Sequence, residues 1–98
     1  MTERTSLFLM ANLGPEVSRI FSAKEKNNQS LLAAAITRAK LILNELKSLP
    51  DTKDNAEIDI LSDIINDFAD GEKRYQIPRE QLQSYFYPFT MKITQNLT

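Results

Sequence analysis

Residues 28–50 read NQSLLAAAITRAKLILNELKSLP, and this stretch decides the fold class. Leu32, Ala35, Ile36, Ala39, Ile42, Leu43 and Leu46 recur at three- and four-residue spacing, which lays one continuous apolar stripe along an α-helix. Asn28 or Ser30 supplies a side-chain oxygen to cap the first turn. Lys47 complements the dipole in the last turn, and Pro50, with no amide to donate, stops the helix. The alanines keep the stripe shallow, so a neighbouring helix can approach closely.

The same period returns on both sides. From Glu3 to Lys24, Leu7, Met10, Leu13, Val17, Ile20 and Phe21 form a stripe that keeps its phase across Gly14-Pro15. Pro15 cannot donate to the carbonyl of Ala11, so one kinked helix is expected here, in preference to a new helix starting at Pro15. Asp54 followed by Glu57 resembles a capping box, with Ile58, Leu61, Ile64, Ile65 and Phe68 as the stripe of a third helix to Asp70. Gly71 suits the left-handed residue that ends it. Pro78 and Glu80 open a fourth helix that carries Leu82, Tyr85, Phe86, Phe89, Ile93 and Leu97, and Pro88 places a second kink inside it. Three short loops joining four helices favour antiparallel neighbours. The expected fold is all-α, an up-down-up-down four-helix bundle in a single domain, residues 1–98, with proline kinks in the first and last helices.

Composition narrows the chemistry. Among 98 residues there is no histidine and no cysteine. Without them the chain has no histidine base or ligand, no Cys-His nucleophile, no cysteine zinc site and no disulfide. No cofactor is expected, and the lack of cysteine fits a reducing, cytoplasmic setting. Hydrophobic content of 42% and charged content of 26% are ordinary for a globular chain, and a net charge of −1 gives no general attraction to nucleic acid or an anionic membrane. No stretch approaches the ~20 apolar residues of a membrane span, and Leu7-Phe8-Leu9-Met10-Ala11 is too short for a signal peptide's apolar core.

The charge is unevenly distributed. Residues 51–72 hold eight acids and one base, and the remainder five acids and eleven bases. Asp59, Asp63 and Asp67 recur every fourth residue, so they should stack on one face of the third helix, at a cost of a few tenths of a kcal/mol per pair. One reading is a solvated face matched by neighbouring bases or by a partner. The other is a divalent-metal site, since magnesium takes carboxylate oxygens. A second charged group, Lys73, Arg74 and Arg79 around Tyr75, with Lys24 and Lys26 at the same end of the bundle, reads as polar loop or as a phosphate contact.

The segment Tyr85-Phe86-Tyr87-Pro88-Phe89 holds four of the chain's eight aromatic residues in five positions. One helix face cannot bury consecutive residues, which point about 100° apart. Leu7-Phe8-Leu9-Met10 has the same all-round apolar character, and the two should meet at one end of the bundle. They read as extra core, as a homodimer patch, or as the lining of an apolar pocket.

In length and helical pattern the chain resembles small helical bundles of the HEPN type. Their catalytic members carry an Arg-x(4–6)-His motif, and Arg79 has no histidine after it, so no residue role carries over. In architecture alone it is also similar to all-α nucleotide pyrophosphatases. Those pair a Glu-Glu-x-x-Glu helix with a Glu-x-x-Asp helix, whereas the second helix here offers only Glu45.

The sequence therefore leads to the expectation of a non-catalytic bundle acting by protein–protein association, as a homodimer or with a helical partner, through Phe8, Tyr85, Phe86, Tyr87 and Phe89. The alternatives are a metal-dependent phosphate-ester or nucleotide hydrolase using Asp59, Asp63 and Asp67, and an RNA- or nucleotide-binding accessory protein.

Overall fold

The computed structural model describes residues 5–50, 55–71 and 77–96, with side chains throughout except at positions 70, 90 and 92–96. These residues form four α-helices: α1 (Ser6–Glu25), α2 (Gln29–Ser48), α3 (Ala56–Asp70) and α4 (Arg79–Asn96). Side-chain pairs give their order. Asn12 shares a groove with Glu45, and Lys26 with Leu31, so α2 runs antiparallel to α1, and Glu25 meets Arg79, so α4 does too. Ala69 lies beside Gln29 and Leu32, so α3 runs antiparallel to α2. The result is the expected up-down-up-down four-helix bundle. α1 packs on α2 and α4, and α2 on α3. No comparably close backbone approach joins α3 to α4 among the described residues.

Local chemistry sets the helix ends. Thr5 caps α1 by accepting the amide of Phe8, and Asn28 caps α2 by accepting that of Leu31. Asn27, at a φ of 53°, takes the left-handed turn between them, a conformation asparagine tolerates. The amide of Asn28 also donates to the carbonyl of Ala23, so one residue closes α1 and opens α2. The cap of α3 is Asn55, accepting from Glu57, and the expected cap Asp54 lies outside the described residues. Gly71, at a φ of 72°, ends α3 as expected. α4 begins one residue later than expected. The carbonyl of Pro78 accepts from Gln81 and Leu82, so Pro78 stands just outside the helix. Pro15 lies within α1 and Pro88 within α4, and both helices continue across them.

The predicted stripes form the core. All five apolar residues of the α3 stripe are buried, as are six of the seven α2 positions, with Leu32 partly covered. On α1, Leu9 joins Met10, Leu13, Val17 and Ile20 in the core, whereas Leu7 and Phe21 are half-buried. On α4, Leu82 and Phe86 are buried, with Tyr85 and Phe89 packed partly against the core. The side chain of Ile93, and Leu97 entirely, lie outside the described residues.

One contact sets the α1–α4 distance. A Cβ on Gly14 would stand 2.9 Å from the Cβ of Phe86 and 3.2 Å from its Cγ. Glycine leaves a notch in α1, and the Phe86 ring root fills it. Gly14→Ala should gain up to ~1 kcal/mol of helix propensity but lose more, about 1–3 kcal/mol, because α4 must move outward. Urea unfolding should thus show a net loss of stability. Gly71→Ala meets no atom within 4 Å, so its cost, about 1 kcal/mol, comes only from the positive φ.

Candidate functional site

Helical phase divides the aromatic segment of α4. With Phe86 seated on Gly14 and 4% exposed, Tyr87 turns outward and is 62% exposed. Tyr85 and Phe89 fall between, half-buried. Tyr85 meets Phe86 edge-on at 5.0 Å and Phe89 at 5.7 Å between ring centroids, geometries that aromatic pairs favour. Phe86, expected on an association surface, is therefore a core residue, and Tyr87 carries the exposed part of the segment. Phe89 shares a cleft with Leu7 and Met10 at the start of α1, which brings part of the two apolar segments together as expected. Phe8 points away from that cleft and is 41% exposed. The Tyr85 hydroxyl is buried with no hydrogen-bond partner among the described residues.

The outward ridge of α1, running through Pro15 and Arg19, separates two grooves. Between α1 and α4, a concavity of about 490 Å³ is lined by Gly14, Pro15, Ser18, Arg19, Phe86 and Tyr87. Between α1 and α2, one of about 410 Å³ has Pro15 and Arg19 on one wall and Arg38, Leu41 and Glu45 on the other. Leu41 is 59% exposed there.

Between these walls lies the buried carboxylate of Glu16. Arg38 Nε donates to Glu16 Oε1 at 2.9 Å, and Arg19 Nη1 stands 3.1 Å from Oε2. A buried carboxylate needs such partners, since desolvating it alone is costly. The pairing also fixes the register of α2 on α1. Both guanidiniums are about half-exposed, and each keeps N–H groups that Glu16 does not use.

The acidic row of α3 does not converge on one point among the described residues. Each four-residue step turns about 40° beyond a full turn, so the row rolls around the helix. Asp59 and Asp63 are exposed, while Asp67 is buried. Among the described residues no three acids converge to hold a cation. Neither Asp59 nor Asp63 makes an ion pair among those residues, and Lys47, a base that contacts α3, donates to Ser62. Ile60 sits exposed beside them.

The basic junction is used internally where it is described. Arg79 donates to Glu25 and Ser22, tying the start of α4 to the end of α1. Lys24 lies over the Phe68 ring at 5.0 Å, and Phe68 meets Phe21 edge-on at 5.2 Å. Lys26 remains exposed, and Lys73, Arg74 and Tyr75 lie outside the described residues. No helix among the described residues is long and apolar enough to cross a membrane.

No protein-family model matches the chain, and neither does any curated protein or solved structure.

Burying a hydroxyl without a partner costs about 1–3 kcal/mol, so Tyr85→Phe should stabilise the fold by roughly 1 kcal/mol while keeping both ring contacts. A rise in the urea midpoint with unchanged slope is the expected result. A fall would mean that the hydroxyl has a partner in solution.

Proposed function

We propose that this chain is a non-catalytic association protein, acting by contact between helix faces and forming a homodimer as its first product. The observation that carries this reading is the outward ridge of α1. It stands between two grooves, with Tyr87 over one and Leu41 over the other, each more than half exposed. Large apolar side chains gathered at concave surfaces mark association sites more often than the same residues scattered singly. The Phe8 ring extends the ridge towards the start of α1, one helical turn from Asn12, whose amide donates to its carbonyl. A chain without histidine or cysteine, whose described acids do not converge, has little with which to activate a nucleophile or water. A reducing, cytoplasmic setting fits this reading, because association here needs no disulfide.

Native mass spectrometry over a concentration series tests it. Dimer mass is expected to rise with concentration, and monomer mass alone at every concentration overturns the reading. Leu41→Ala should weaken association by roughly five-fold, about 1 kcal/mol for an exposed apolar contact, without changing the thermal melt at concentrations where the chain is monomeric.

A further inference from the structure

We propose that the groove between α1 and α2 receives α3 of a second copy of the chain, so that copies associate head to tail. This rests on the reading that the chain self-associates, and it names the two surfaces that meet.

The groove has the form a helix needs. Asn12, Pro15 and Arg19 step along α1 at three- and four-residue intervals, and Arg38, Leu41 and Glu45 do so along α2. Two such rows form the ridges between which a third helix packs. Beyond Arg19 and Arg38 the groove continues past Ser22 to Lys26 and the exposed Leu31. From Asn12 to Lys26 it runs about 21 Å along α1, and the 15 residues of α3 span about 22 Å.

Charge selects the occupant. α3 carries Glu57, Asp59, Asp63, Asp67 and Asp70 and no base. Its outward face sets Ile60, 51% exposed, beside Asp59 and Asp63, which have no ion-pair partner among the described residues. The groove offers the complement, with Leu41 for the isoleucine and Arg19 and Arg38 for the carboxylates. Those two guanidiniums sit on the two oxygens of one carboxylate, so they are neighbours. Asp59 and Asp63 are one helical turn apart, about 6 Å, and can address both. Lys26 at one end and Glu45 at the other give the groove a polarity, so the acids of α3 lie towards Lys26 and away from Glu45. A net charge of −1 leaves little overall repulsion between copies.

The contact joins unlike surfaces, so a dimer keeps one free groove and one free α3, and growth continues until a ring closes. This gives a test that an interface joining like surfaces would not pass. Asp59→Lys/Asp63→Lys spoils α3 and leaves the groove intact, while Leu41→Asp spoils the groove and leaves α3 intact. All three positions are exposed, and Ile60→Lys is a second α3 variant should the double reversal fail to fold. Sedimentation velocity of the full chain should show salt-sensitive association of the wild type. Each variant alone should be monomeric, with association at least ten-fold weaker. Their equimolar mixture should form a heterodimer and nothing larger. If both variants associate like the wild type, or the mixture stays monomeric, this docking is wrong while self-association stands. If the wild type itself is monomeric at every concentration, self-association fails and the docking fails with it.

Discussion

The seat of Phe86 on Gly14 is the contact on which the α1–α4 half of the bundle depends. A glycine inside a helix costs about 1 kcal/mol of propensity relative to alanine, and it stands next to a proline that removes a hydrogen bond. Together they make the middle of α1 its weakest stretch as an isolated helix. Tertiary packing offsets that weakness, because the missing Cβ lets α4 approach closely enough to bury Phe86 at 4% exposure. Once Phe86 is fixed, the helical period leaves no freedom to its neighbours. Tyr87 must face out, and Tyr85 and Phe89 must straddle the boundary. The surface that Tyr87 presents is thus a consequence of a core contact near the middle of α1.

A second constraint acts between α1 and α2. The Glu16 carboxylate is buried, yet both arginines that hold it are about half-exposed, so solvent screens much of the attraction. Its value lies less in net stability than in register. Sliding α2 by one turn would strand a buried charge, whereas sliding the apolar stripe alone would exchange one alanine or leucine for another. With Asn28 closing α1 and opening α2, the turn and the ion pair specify the same alignment from opposite ends of the contact.

Much of this was legible in the sequence because helix faces follow a fixed period. The stripe of α3 matches its buried residues throughout, and that of α2 nearly so, since each has a long polar face to contrast with its apolar one. α1 was harder. Leu7, Phe8, Leu9 and Met10 are all apolar, so periodicity could not say that Leu9 is buried and Phe8 exposed. α4 failed in the same way at Tyr85 to Phe89. The clue was Gly14, because a glycine inside a helix next to an aromatic-rich partner marks a close approach. The adjacent Pro15 gives the same position a second meaning, a kink, which hides that clue. The row of Asp59, Asp63 and Asp67 misled for a geometric reason. A spacing of four is not the helical period, and the accumulated rotation carries Asp67 into the interior while Asp59 stays in solvent. At the α3 start, Asp54 and Asn55 are both competent caps, and sequence alone does not choose between adjacent candidates.

Electrostatics and packing therefore do separate work in this molecule. α3 is held by a stripe of apolar residues that are all buried, whereas Asp59 and Asp63 stand exposed and take no part in that hold. Like charges one turn apart oppose the helix by a few tenths of a kcal/mol, a small term beside the burial of Ile58, Leu61, Ile64, Ile65 and Phe68. The fold can thus carry an uncompensated acidic face at little cost. Among the described residues the arginines are used elsewhere, Arg19 and Arg38 on Glu16 and Arg79 on Glu25, while Lys24 and Lys47 reach α3 at Phe68 and Ser62 and not at Asp59 or Asp63. A chain with almost no net charge has in this way two faces of opposite character, kept apart by the same contacts that fix its helices. Charges kept apart within one molecule are available between molecules, and the exposed Ile60 and Leu41 give each face an apolar group whose burial supplies the attraction that salt does not screen.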